Sequence, residues 1–458
     1  MKSPLRMSTA LVVPGVLALG LLGACGSNDP VAAPSTGGKV TIEVSIDQGL
    51  EQGAIDAFNA RVKQFQTANP DITVKSKEYT WTGTTFAAEL AGGTLPDVFP
   101  IPFTDGRGLI ERKQIADLSP LIAKLPYAEK FNPKVAQAGE AADGKMWAIP
   151  IAAYGQGLHY NRTLFTQAGL DPDKPPTTWA EVRTDAKAIA DKTGQAGYSE
   201  MTQSNTGGWI LTTLAYANGG RVEAVDGDKV TATIDTPAMK KVLEYLKSLR
   251  WDDNSMGANF LYDWGTINQD FAAGKIGMYV SGGGNYGNLF TQNGLKPADY
   301  GVTILPLEGS DAGVLGGGTL AAVSAKASPA QQAASVKWID YYYMQKLANK
   351  DAAILDAQTT KDAGQPVGAP QLPVFDRATY DESQTWIKGL INVPIDQMKP
   401  FTDGIFDQPL LPEPASSTQK LYAALDPVVQ AVLTDKNADV DKLLADAQVT
   451  VQSILGKP

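Results

Sequence analysis

Lys39-Val40-Thr41-Ile42-Glu43-Val44-Ser45-Ile46 alternates apolar and polar side chains, with Val40, Ile42, Val44 and Ile46 on one face, as a half-buried strand requires. After it, Ala54, Phe58, Val62 and Phe65 recur at three- and four-residue steps, which predicts a helix, and Asn69-Pro70 stops that helix. β character resumes at Ile72-Thr73-Val74. A short helix is expected around Phe86 and Leu90, closed by Gly92-Gly93, and Pro96-Asp97-Val98-Phe99-Pro100-Ile101 reads as a third, buried strand. Strands and helices alternating in this way imply an α/β fold on a mainly parallel sheet covered on both faces. Ligands of such sheets bind at the carboxyl ends of the strands.

The same punctuation continues downstream. Thr178 with Glu181 makes a capping box, and Thr236-Pro237 and Ser328-Pro329 put a cap before a first-turn proline, so each opens a helix. Met239, Val242, Leu243, Leu246 and Leu249 form one apolar face of the second helix, and Ala333, Val336, Ile339 and Tyr343 suit the third; both stripes are expected in the core. No repeat of about 20 to 50 residues is visible, which disfavours solenoids and propellers.

Toward the N-terminus, Lys2 and Arg6 precede an apolar stretch of 13 residues, 10–22, broken by Pro14, Gly15 and Gly20. This is a secretory signal, too short for a span of roughly 20 apolar residues. It ends in Leu22-Gly23-Ala24-Cys25, which resembles a bacterial lipobox; that resemblance implies cleavage after residue 24 and acylation of Cys25, the only cysteine. The chain is therefore expected outside the cytoplasm, lipid-anchored to the cell membrane. Residues 26–38 lack large apolar side chains and read as a tether that reaches on the order of 20 Å.

Removing residues 1–24 leaves 434 residues with 37 basic and 49 acidic side chains, a net charge of −12. A chain of that length is expected to divide into at least two cores. The acidic balance argues against nucleic acid as a partner, because each phosphate contact needs Lys or Arg. With Cys25 acylated, no internal disulfide is available.

One histidine, His159, and one cysteine exclude metal clusters built from His and Cys. No metal or cofactor is expected. No G-x-S-x-G elbow accompanies His159, so a Ser-His-Asp triad has no support. Gly282-Gly283-Gly284 and Gly316-Gly317-Gly318 lack the phosphate-loop lysine; they suit close approach of backbone to a ligand, at Gly317 in particular. Paired carboxylates for glycoside hydrolysis stay open at this point, since the 49 acidic residues offer many pairs.

Aromatic side chains gather in loops rich in glycine and small polar residues: Tyr79 and Trp81 near Gly83, Trp209 after Gly207-Gly208, Tyr262 and Trp264 around Asp263, and Tyr286 between Asn285 and Gly287. Ordinary packing explains any one of them. Together they suit a sugar, whose C–H faces stack on rings while its hydroxyls need hydrogen bonds once buried.

At this point the chain resembles the extracellular solute-binding proteins of ABC importers, specifically the carbohydrate group that includes maltose-type binding proteins. The resemblance rests on Trp147-Ala148-Ile149-Pro150-Ile151-Ala152-Ala153-Tyr154-Gly155-Gln156-Gly157-Leu158-His159-Tyr160-Asn161-Arg162-Thr163-Leu164-Phe165, then Gly169-Leu170 and Pro176-Thr177-Thr178-Trp179. Gly92-Gly93 with Pro96-Asp97-Val98, Phe271-Ala272-Ala273-Gly274-Lys275-Ile276-Gly277-Met278, and Gly316-Gly317-Gly318 ahead of Trp338-Ile339 follow in the family's order. His159 departs from the family's usual apolar or aromatic residue.

The resemblance implies a two-lobed α/β fold of the periplasmic-binding-protein type II kind, each lobe a mainly parallel sheet flanked by helices. Crossovers are expected near residues 149–154, 316–320 and 365–373, giving one lobe of residues 39–152 plus 318–368 and another of 153–317 plus 369–458. In the family, the position of Tyr154 faces the sugar from the hinge, the loop that here holds Asp47 and Gln48 gives a polar contact, and an acid follows the third strand, here Asp105. The family's G-x-W platform after Met278 is replaced by Gly282-Gly283-Gly284, leaving Tyr286 or Trp264 as the substitute. The expected binding set is thus Asp47, Gln48, Trp81, Asp105, Tyr154, Trp209, Trp264, Asn285, Tyr286 and Gly317. The expected function is non-catalytic: a monomer captures a carbohydrate and delivers it to the transmembrane permease. Rival readings are another solute in the same fold, such as a glycerophosphodiester or polyamine, a secreted glycosidase, and a surface scaffold with no small ligand.

Overall fold

Burial of Ile42 and Val44 fixes the first strand of the sheet, β1 (Val40–Ile46), between two parallel neighbours, β2 (Ile72–Glu78) and β3 (Val98–Pro102). The structure is a computed structural model that describes residues 39–81, 83–226, 229–414 and 416–455. The expected signal segment, Cys25 and the tether lie outside the described residues. The predicted helix between β1 and β2 runs over Gln52–Ala68 and buries Phe58 and Phe65, the latter edge-on to Trp338 with ring centroids 5.2 Å apart. Asn69 ends it, its backbone N–H donating to the Phe65 carbonyl at 2.8 Å. A helix at Gly83–Gly92 and β3 follow as read from the sequence.

The remaining strands are β4 (Ile149–Asn161), β5 (Ala196–Tyr198), β6 (Glu223–Asp226), β7 (Lys229–Ala232), β8 (Ile276–Gly282), β9 (Tyr300–Ile304), β10 (Val314–Val323) and β11 (Leu410–Pro412). β6 and β7 form a separate hairpin, and the other nine form one sheet in the order β2-β1-β3-β10-β4-β8-β5, with β9 beside β4 and β11 beside β10. Two long strands stitch its halves together. β4 pairs antiparallel with β10 as far as Gly155, then with β8 from Gln156 and with β9 from Gly157. β10 runs antiparallel to β3 over 319–323 and parallel to β11 over 314–316. A bridge between Ala153 and Leu372 brings a third segment of chain to the same place.

The three expected helix starts are formed. Thr178 and Glu181 close a capping box, Thr236 accepts from the Met239 backbone N–H, and Ser328 and Gln331 close a second box. Met239, Val242, Leu243, Leu246 and Leu249 are all buried, as their spacing requires. The stripe through Ala333 and Tyr343 behaves otherwise. The helix Pro329–Ile339 buries Ala334, Ser335, Val336, Trp338 and Ile339, then passes into a π-helical turn, Asp340–Met344. The wider turn breaks the 3.6-residue phase: Tyr342 still stacks on Trp338 at 4.9 Å, whereas Tyr343 lines a surface crevice. No described helix is long and apolar enough to cross a membrane.

Candidate functional site

The site is built where β4 hands over from β10 to β8. Tyr154 on β4 lies opposite Gly317 on β10. The Trp209 ring stands perpendicular to Tyr154, with centroids 6.0 Å apart. Trp209 is held in the first turns of the helix Thr206–Ala217. Asn205, in the left-handed region, gives that helix no side-chain cap. Asp426 from the helix Thr418–Thr434 does so instead, accepting from the backbone N–H groups of Asn205 at 2.8 Å and Gly208 at 2.9 Å.

Glu413 reaches the same point from β11. Its carboxylate accepts from the Tyr422 hydroxyl at 3.1 Å. A Cβ on Gly317 would stand 2.7 Å from Glu413 Oε2 and against the Tyr154 phenol oxygen. Glycine leaves room for both groups to converge here without a shift of either.

Asp105 and Trp81 approach from the other half of the sheet. Asp105 sits in the first turn of the helix Phe103–Glu111. It lines a crevice of about 590 Å³ with Trp81, Arg112 and Gln419. Trp81 also borders a neighbouring crevice of about 600 Å³ with Asp47, Ile151, Tyr343, Lys346 and Gln371. The Trp81 indole N–H acts on the Asp105 carboxyl and that of Trp209 on the Tyr154 phenol, yet neither nitrogen makes a hydrogen bond of normal geometry.

Burial pushes the Glu413 carboxyl up to about 7; the Tyr422 hydroxyl opposes that shift, and the negative charge of Asp105 adds to it. Burial also raises Asp105, against the pull of Trp81 and Arg112, and it raises Asp47. Tyr154 is raised by burial and by the Glu413 charge. Burial is thus the main cause that keeps both carboxyl groups up, and the Asp105 charge adds to it at Glu413.

Of the residues expected from sequence, the structure brings Tyr154, Trp209 and Gly317 together at the handover and Trp81 and Asp105 together in one crevice, with Asp47 in the adjoining one. Gln48 is exposed, its backbone N–H donating to Thr80 Oγ1 at 3.4 Å. Asn285 donates to Asn268 Oδ1 and to the Tyr279 hydroxyl, both at 2.9 Å, and so lies within a buried network. Tyr286 is buried, stacked on Phe290 and edge-on to Tyr300. Trp264 opens a helix at the surface, 37% exposed. His159 is a core residue: Nε2 meets the Gly282 carbonyl at 3.1 Å and Nδ1 the Tyr300 hydroxyl at 2.9 Å, and burial lowers it to about 4. Facing a carbonyl, Nε2 must carry the proton, and Nδ1 then accepts from Tyr300. Gln419, Lys346 and Gln371 line the two crevices and Glu413 stands beside Gly317, none of them having stood out in the sequence. Among the described residues no three His, Cys, Asp or Glu side chains gather in a way that could hold a metal ion.

A family description, bacterial extracellular solute-binding protein, matches residues 60–368. A binding protein of Brucella abortus strain 2308 is 27% identical over 267 residues, which cover 54% of this chain and 59% of that relative, less than two thirds of its length. The cyclic α-maltosyl-1,6-maltose binding protein of Arthrobacter globiformis superposes with a TM-score of 0.67 at 24% identity, over 91% of this chain and 99% of that one. UgpB of Mycobacterium tuberculosis, solved in complex with glycerophosphocholine, does so at 0.70 and 19%, over 91% and 99%. Those likenesses give the fold, two α/β lobes joined through shared strands. With the family match covering most of its length, the chain belongs to the bacterial extracellular solute-binding proteins.

Proposed function

We propose that the chain captures a sugar or oligosaccharide between its lobes and delivers it to the transmembrane permease of an ABC importer. The lobes are residues 39–152 plus 318–368 and 153–317 plus 369–458, and closure is a hinge motion about β4 and β10. The protein works outside the cytoplasm, anchored through lipid on Cys25, and catalyzes nothing. The supporting observation is that Tyr154, Trp209 and Glu413 gather at the strand handover while Trp81 and Asp105 share a crevice: in each place a stacking face stands beside a group that bonds hydroxyls. A glycerophosphodiester is the second reading, favored by Arg112 and Lys346 in the two crevices.

Thermal unfolding of the chain against mono-, di- and oligosaccharides, glycerophosphodiesters and polyamines tests this. A solute at 100 times its dissociation constant stabilizes by about 2.7 kcal/mol. A shift confined to related sugars supports the carbohydrate reading, and a shift confined to phosphodiesters replaces it with the second.

A further inference from the structure

We propose that the solute is an acidic sugar, a uronate whose carboxylate is held by Lys346 and Gln371 at the point where three crevices meet. This rests on the reading above that the cleft takes a carbohydrate.

Lys346, in the helix Gln345–Ala348, and Gln371, on the segment that bridges to β4 through Leu372, both line the crevice of about 600 Å³ that holds Trp81 and Asp47. Both also line two further crevices, of about 410 and 130 Å³, so the three spaces share this pair of side chains. Trp81, Tyr342 and Tyr343 line the largest of them and offer ring faces to a sugar. Among the described residues, neither the Lys346 amine nor the Gln371 amide has a hydrogen-bond or ion-pair partner; the amine stands 5.7 Å from the centroid of the Tyr342 ring. The other charges lining these crevices are Arg61, Asp356 and Asp47. Arg61 binds Asp356 at 2.6 Å, so those two cancel, and Lys346 acts on Asp356 only from longer range. Asp47 is exposed at the end of β1. A half-buried ammonium and an amide, each with N–H donors that no protein acceptor takes, match the two oxygens of a carboxylate, and a charge-assisted bond to the ammonium is about twice as strong as a neutral one. A neutral sugar brings only hydroxyls to the same pair.

Calorimetric titration of the full-length chain with matched pairs isolates the carboxylate: glucuronate and glucose, galacturonate and galactose, digalacturonate and α-1,4-galactobiose. In at least one pair the acid should bind at least tenfold more tightly than its alcohol, and raising the salt should weaken the acid more than the alcohol. Lys346→Met, which keeps the apolar stem, should abolish that preference, with an unchanged unfolding midpoint marking the folded variant, and Lys346→Arg should keep most of it. Equal or tighter binding of the alcohol in every pair, or binding by none of the acids, overturns the acidic-sugar assignment, and a neutral sugar bound in their place leaves the carbohydrate reading standing. A preference that survives Lys346→Met overturns the seat at Lys346. Glycerophosphocholine bound where none of the sugars binds overturns both readings.

Discussion

Gly317 carries a steric condition at the site, because Glu413 and the Tyr154 phenol occupy the space a side chain would need. Gly317→Ala should weaken solute binding at least tenfold and destabilize the fold by about 1 to 3 kcal/mol through overpacking, read by calorimetry and urea unfolding. Glu413 adds a pH signature. Its folded carboxyl, at about 7, keeps a proton that the unfolded side chain, at its ordinary 4.5, has lost. The native state then binds more protons between those values, so its contribution is whole below pH 4.5 and declines as pH rises to 7. Glu413→Gln should flatten the fall in unfolding midpoint over that window, and buried Glu200, pushed up to about 8, should account for part of the slope that is left. Tyr154 and Asp105 could be picked out in the sequence because a motif and a strand precede them. Glu413 could not: it stands between two prolines with no periodicity, and its position comes from β11 pairing with a strand distant in sequence.

At the scale of elements, the helix bearing Trp209 borrows its cap. Asp426→Ala strips two backbone N–H groups of their acceptor, and a loss of about 1 to 2 kcal/mol in urea unfolding is expected. Solute affinity should fall with it, since the Trp209 ring rides on the loosened first turns. The π-helical turn Asp340–Met344 invites a complementary change: deleting Tyr341 restores α-helical phase, swings Tyr342 and Tyr343 away from the crevice, and should reduce binding while helical content measured by circular dichroism holds. Helix starts were legible because a cap is a local bargain among four residues. The π turn was not, because periodicity assumes the phase that the turn breaks.

Across the whole molecule, the β-α-β opening was readable from alternation alone, whereas the insertion of β10 between β3 and β4 depends on pairing that no local pattern records. That insertion governs the order of assembly. β3 has no partner on its open side until residues 314–323 exist, and the far lobe waits longer still, since Gln448 and Gln452 of the last helix bond the backbone of the β7 region. A chain ending at residue 313 should therefore show little cooperative unfolding by circular dichroism, although it contains most of both sheet halves. Long-range pairing of this kind slows folding, and slowness has a use. A polypeptide that stays open until its final third has been synthesized can still be threaded lengthwise through a narrow translocation channel, and it becomes compact only on the far side.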